Sequence, residues 1–185
     1  MKLYNGMSPN GMRVSVFLAE KGIEIPTTNI DIMAGGARTP DYLKINSLGE
    51  VPVLVLDDGH IITESLAICR YLEALHPEPS LMGTTALEQA NIEMWTRRME
   101  QQIFKIAGDI GLHEIPIFAD KIEQLPEYSA TLRRAFPKKL AWLDSEISDG
   151  RPFIAGNTFS VADITGMAAL MVSGFVNADI LSDLK

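Results

Sequence analysis

Two short stretches of this chain carry residue types that could hold an extended, zwitterionic ligand. In the first, Val51-Pro52-Val53-Leu54-Val55-Leu56, a proline stands at the mouth of an apolar run. It cannot donate a ladder hydrogen bond, so it belongs at a strand start or edge. A cis bond before it would leave the Val51 backbone free to pair with something extended and peptide-like. In the second, the turn Asp57-Asp58-Gly59 leads into Ile61-Ile62-Thr63-Glu64-Ser65, followed by apolar residues at helical spacing. A helix opening at Ser65 offers unpaired amides and the positive end of its dipole to a carboxylate, while Glu64 can accept from an ammonium group. Side by side, the two could hold the charged end of an amino acid.

The elements that must position these residues follow from periodicity. Residues 2–4 form a short strand, and after a polar turn at 5–10 the run Val14, Phe17, Leu18 repeats at helical spacing up to Gly22, a natural stop. Residues 25–32 predict a second strand, 41–44 a short helix, 53–56 and 61–63 a hairpin, and 65–75 a helix. The order βαβ, helix, ββα gives a mixed four-stranded sheet with helices, a compact α/β unit over residues 1–76. His76-Pro77-Glu78-Pro79-Ser80 reads as the start of a stiff linker over 77–86. Beyond it, 86–110 and 128–147 carry long helical periods, and Ser160 with Asp163 three residues on is a capping box opening a buried helix. Residues 87–185 are thus expected to be all-helical.

Composition narrows the setting. A chain of 185 residues, 46% apolar, has ample core for a folded protein. Its net charge of -8 argues against nucleic acid or an anionic membrane as main partner. The longest apolar stretch, within 164–176, is too short and too interrupted to span a bilayer. One cysteine, Cys69, and an N-terminus without an apolar leader point to the reducing cytoplasm.

Taken in order, Asn46-Ser47-Leu48-Gly49-Glu50-Val51-Pro52-Val53-Leu54, Thr63-Glu64-Ser65-Leu66-Ala67-Ile68-Cys69-Arg70-Tyr71-Leu72 and Phe159-Ser160-Val161-Ala162-Asp163-Ile164-Thr165 resemble the cytosolic glutathione S-transferases over nearly the whole chain. The resemblance implies a thioredoxin-like first domain, a cis Pro52, a Val51 backbone paired with the cysteinyl unit of glutathione, and Glu64 and Ser65 on its γ-glutamyl end. It implies a homodimer that joins the glutathione thiolate to a small hydrophobic electrophile, in a serine- or cysteine-type class. The segment Ser8-Pro9-Asn10-Gly11 stands where such classes carry the catalytic residue, which makes Ser8 the first candidate and Asn10 the second; Tyr4, on a strand, is weaker. Where the family often has a cation or glutamine before Val-Pro, this chain has Glu50, so either Glu50 points away and Arg38 or Lys44 covers the glycine carboxylate, or glutathione binds weakly. The family usually continues past residue 185, so the helical part is expected to be short at its C-terminus. Alternative readings are a glutathione-dependent disulfide reductase or peroxidase that needs no protein cysteine, and a non-catalytic binding module on the same fold.

Plainer roles exist for each residue. Ser8 is an ordinary turn or cap residue, and Ser65 could be a cap. Cys69 falls among apolar helix positions as a small buried hydrophobe. The three histidines have no metal-ligand spacing. The nine methionines could line an acceptor pocket or fill core, and Ile92, Trp95 and Met99 could face either an interface or the interior.

Overall fold

The computed structural model describes residues 1–176; the expected helical extent to residue 185 runs beyond the described residues. The chain divides into two compact units, Met1–Met82 and a second from Gly83 onward.

In the first unit, β1 (Lys2–Asn5) pairs parallel with β2 (Thr27–Asn29) and antiparallel with β3 (Val53–Val55), and β3 pairs antiparallel with β4 (Ile61–Ile62). The strand order is β2-β1-β3-β4, the mixed sheet that the alternation of elements predicts. Helix α1 (Pro9–Lys21) starts because Ser8 caps it and Pro9 fits its first turn, and it stops at Gly22, whose φ of 63° suits glycine. Its stripe of Val14, Phe17 and Leu18 is buried, as are Ile68, Cys69 and Leu72 of α3 (Ser65–Leu75). The short α2 (Pro40–Ile45) is capped by Thr39. The second strand is confined to three residues, not the eight of 25–32. From Asp31 the chain turns: the Asp31 carboxylate accepts from the Ala34 N–H, and its carbonyl from Gly36.

Residues 76–82 belong to the first unit. The Lys21 ammonium, buried at the end of α1, donates to the carbonyls of His76 (2.8 Å) and Pro79 (2.5 Å) and pairs with Glu73 at 2.5 Å. The other Glu73 oxygen accepts from the Ser80 hydroxyl and from the N–H groups of Leu81 and Met82.

The second unit is helical, with α4 (Ala86–Met99), α5 (Lys105–Glu114), α6 (Pro126–Ile147) and α7 (Val161–Phe175). The single helix predicted from residue 86 contains a π-helical turn, Glu100–Phe104, with the Lys105 N–H on the Glu100 carbonyl. One extra residue per turn is thereby absorbed without ending the helix. Trp95, Met99, Ile103, Phe136 and Leu140 form its core, so Trp95 and Met99 face the interior. Trp95 and Trp142 stack at 6.4 Å, with the Arg98 and Arg151 guanidinium groups 4.8 and 4.6 Å from the Trp95 ring. The capping box at Ser160 and Asp163 is formed, and Asp163 also takes the Ile154 N–H. A second box opens α4. There the Thr84 N–H first, then the Thr85 N–H and the Thr84 hydroxyl, lower the Glu88 carboxyl from 4.5 to about 2. Because the folded value is the depressed one, the stability it contributes is complete above pH 4.5 and lost as pH falls from there toward 2. Glu88→Ala is expected to remove that part of the acid-unfolding curve followed by helical circular dichroism; an unchanged curve would refute it.

Among the described residues no helix is long and apolar enough to cross a membrane.

Candidate functional site

Strand direction gathers the site. With β1 parallel to β2, β3 opposed to β1 and β4 opposed to β3, the exits of β1, β2 and β4 and the entry of β3 lie at one end of the sheet. The β1–α1 turn with Ser8 and Asn10, the loop carrying Val51 and Pro52, and the Glu64-Ser65 junction therefore share that end.

Ser8 is the N-cap of α1, its Oγ accepting from the Gly11 N–H at 2.9 Å. The cap uses an oxygen lone pair and leaves the hydroxyl proton for another acceptor. No acidic side chain occupies the first turn, so the positive end of the helix is not neutralised from within. Asn5, buried at the end of β1, holds the turn in place. Its Oδ1 accepts from the Gly6 N–H at 2.9 Å, and its Nδ2 donates to the Gly11 carbonyl and to Ser15 Oγ at 3.2 and 3.0 Å. Tyr4 instead packs edge-to-face on Tyr42, in the small cluster of Ala37, Val51 and Val53.

The Val51-Pro52 bond is cis. The peptide ahead of it is fixed by two donors on the Glu50 carbonyl, Tyr42 Oη at 2.7 Å and Asn46 Nδ2 at 2.9 Å. Burial first, and the nearby Tyr4 second, push the Tyr42 phenol up to about 12, so it remains a donor at ordinary pH. Arg38 donates to the Leu48 carbonyl at 3.2 Å and is thus joined to this loop. Lys44 is paired with Asp41 at 2.7 Å, its side chain 76% exposed. The Glu50 side chain is exposed.

Glu64 has φ 64° and ψ 115°, and among the described residues it alone has a positive φ without being glycine. Such a backbone costs about 1–3 kcal/mol and persists where its surroundings enforce it. Glu64, not Ser65, occupies the cap position of α3, and it makes no side-chain cap bond. Ser65 is the first helical residue, and its hydroxyl is engaged elsewhere: Arg13 Nη1 donates to it at 2.6 Å, and it donates to Asn10 Oδ1 at 3.3 Å. Arg13 Nη1 also reaches Asn10 Oδ1 at 3.2 Å. Asn10 and Ser65 are thereby brought together across α1 and α3 by an arginine that is 2% exposed. Sequence reading missed Arg13. Its signal was positional, since 10, 13, 14 and 17 follow helical spacing, and a charged residue interrupts a stripe that Val14 and Phe17 continue.

The Cys69 sulfur is buried, and that burial pushes its thiol up to about 12, so it is no nucleophile at neutral pH. Among the described residues no group of three or more His, Cys, Asp or Glu side chains could hold a metal ion.

Known proteins share this sequence pattern and fold. The sequence family described as Glutathione S-transferase, N-terminal domain, matches residues 7–75. Glutathione S-transferase 2 of Saccharomyces cerevisiae is 33% identical over 176 residues, covering 93% of this chain and 75% of the yeast protein. Among solved structures, a glutathione S-transferase domain-containing protein from Marinobacter aquaeolei superposes with a TM-score of 0.90 at 34% identity, over 100% of this chain and 92% of that one. Gtt2 from Saccharomyces cerevisiae gives a TM-score of 0.89 at 32% identity, over 100% and 90%.

Proposed function

The chain belongs to the glutathione S-transferase family, and on that premise we propose that it binds glutathione at the shared end of the sheet and transfers its thiolate to a small hydrophobic electrophile. Glutathione is the co-substrate of the family. In this reading the Val51 backbone pairs with the cysteinyl unit, Glu64 takes the γ-glutamyl ammonium, and Ser65 takes its carboxylate. Arg38, tied to the preceding loop, is better placed than Lys44 to balance Glu50 at the glycine end.

The activating group is Ser8, in a serine-type class. A free thiol, with a pKa near ~8.5, is only a few per cent ionised at pH 7, and lowering that value by ~2 units takes ~2.7 kcal/mol of thiolate stabilisation. The observation that carries the reading is the Ser8 cap: a hydroxyl with its proton uncommitted, at the un-neutralised positive end of α1. Asn10 has its Oδ1 held by Arg13 and Ser65, which suits it better to positioning than to ionising the sulfur. Because Cys69 is buried, any disulfide reductase activity would have to run through two glutathiones. A homodimer in the cytoplasm is the expected working form.

Calorimetric titration with glutathione, with thiolate absorbance followed in parallel, tests this in wild type, Ser8→Ala and Asn10→Ala. The wild type is expected to bind and ionise the thiol near neutral pH. Ser8→Ala is expected to retain binding while the bound thiol pKa rises by about 1–2 units, with turnover of an aryl halide falling about 10²-fold. Absence of binding heat in the wild type ends the proposal.

A further inference from the structure

We propose that Arg13 supplies the positive charge of the subsite for the glutamyl α-carboxylate, acting through Ser65 and Asn10 without touching the ligand. The inference rests on the glutathione reading above and deepens it. Three observations carry it. Arg13 is 2% exposed, so its charge is shielded from water and acts more strongly on what lies beside it. Its Nη1 lies 2.6 Å from the Ser65 oxygen, a charge-assisted contact. Asn10 Oδ1 receives both Arg13 Nη1 and the Ser65 hydroxyl, closing a three-membered ring of side chains from α1 and α3.

The chemistry follows from what a hydroxyl can do. Serine has one proton and two lone pairs, and a guanidinium can only donate. With Arg13 filling one lone pair, the Ser65 proton must point away from it. In the ligand-free chain it goes to Asn10; an arriving carboxylate offers a charged acceptor in its place. Arg13 thus fixes Ser65 as a donor, polarises its O–H bond and adds an arginine charge that no accessible pH removes. Arginine suits the task because its charge is permanent and the two N–H groups of Nη1 suffice for both Asn10 and Ser65.

A merely structural Arg13 would tie α1 to α3 and do nothing selective, so the test must read selectivity. Wild type, Arg13→Met, Arg13→Lys and Ser65→Ala are titrated with two ligands: glutathione, and γ-aminobutyryl-cysteinyl-glycine, which lacks only the α-carboxylate. Arg13→Met is expected to weaken glutathione about 30-fold and the decarboxylated ligand by no more than about 2-fold. Arg13→Lys, which keeps the charge and three N–H donors on a single nitrogen, should lose less than about 5-fold and serves if Arg13→Met does not fold. In Arg13→Met/Ser65→Ala the preference for the carboxylated ligand should fall no further than in either single variant, since the two act as one unit. Equal losses for both ligands, or additive losses of preference in the double variant, overturn the role of Arg13 while leaving glutathione binding intact. A wild type that binds neither ligand overturns the functional reading and this inference together.

Discussion

Gly11→Ala is expected to cost about 1–3 kcal/mol of stability and about 10²-fold in kcat/KM, against the usual sign of such a change. In an exposed helix interior, alanine in place of glycine gains about 1 kcal/mol. Here a Cβ would stand 2.3 Å from the Gly6 carbonyl oxygen and 2.5 Å from Asn5 Oδ1, and the first of these is backbone that cannot swing aside. The first turn of α1 must lift away from the β1–α1 turn. In doing so it breaks the Asn5 bond to the Gly11 carbonyl and moves the Gly11 N–H that holds Ser8 Oγ. Overpacking therefore outweighs helix propensity, and the loss falls on the residue proposed to ionise the thiol. Urea unfolding and an aryl-halide assay read the two halves; a variant as stable and as active as the parent would show that the turn yields freely.

Lys21→Met is expected to destabilise the first unit by about 3–5 kcal/mol, the range found when one partner of a buried ion pair is removed. The Lys21 side chain is 0% exposed and that of Glu73 13%. Methionine fills the stem's volume but strands the Glu73 carboxylate and two carbonyls, those of His76 and Pro79. Adding Glu73→Gln should recover part of the loss, because it removes the stranded charge while its Oε1 can still accept from Leu81 and Met82. The midpoint of urea unfolding measures both. If the double variant is no better than Lys21→Met alone, the uncompensated charge is not the origin of the cost.

Much of this was legible because local chemistry and tertiary need agreed. Gly22 ends α1, and Ser160 and Asp163 open α7, each for a reason visible within a few residues. The sheet with helices and the helical second half followed from the change in period. What did not show was non-local. The π-helical turn at Glu100–Phe104 satisfies its packing by an offset that no residue type announces. The second strand ends early because Asp31 folds back on Ala34, a turn its apolar neighbours Ile30 and Ile32 disguise. At the site, the residue types at Ser8, Val51, Pro52, Glu64 and Ser65 could be singled out, whereas the partner that links two of the chosen elements could not. Arg13 lies 52 positions from Ser65, and helical spacing marks it only as a charged interruption of an apolar stripe.

The backbone at Glu64 also speaks to selection. A chain relieved of any ligand here would be better served by glycine, which adopts φ 64° freely. Glycine there would relieve the strain and so be stabilising. On the proposed reading, the strained glutamate survives because its carboxylate meets an ammonium group, and losing it would cost more in fitness than its strain costs in stability. An idle scaffold has no reason to keep that bargain, and this residue is where a lineage drifting away from glutathione would relax first.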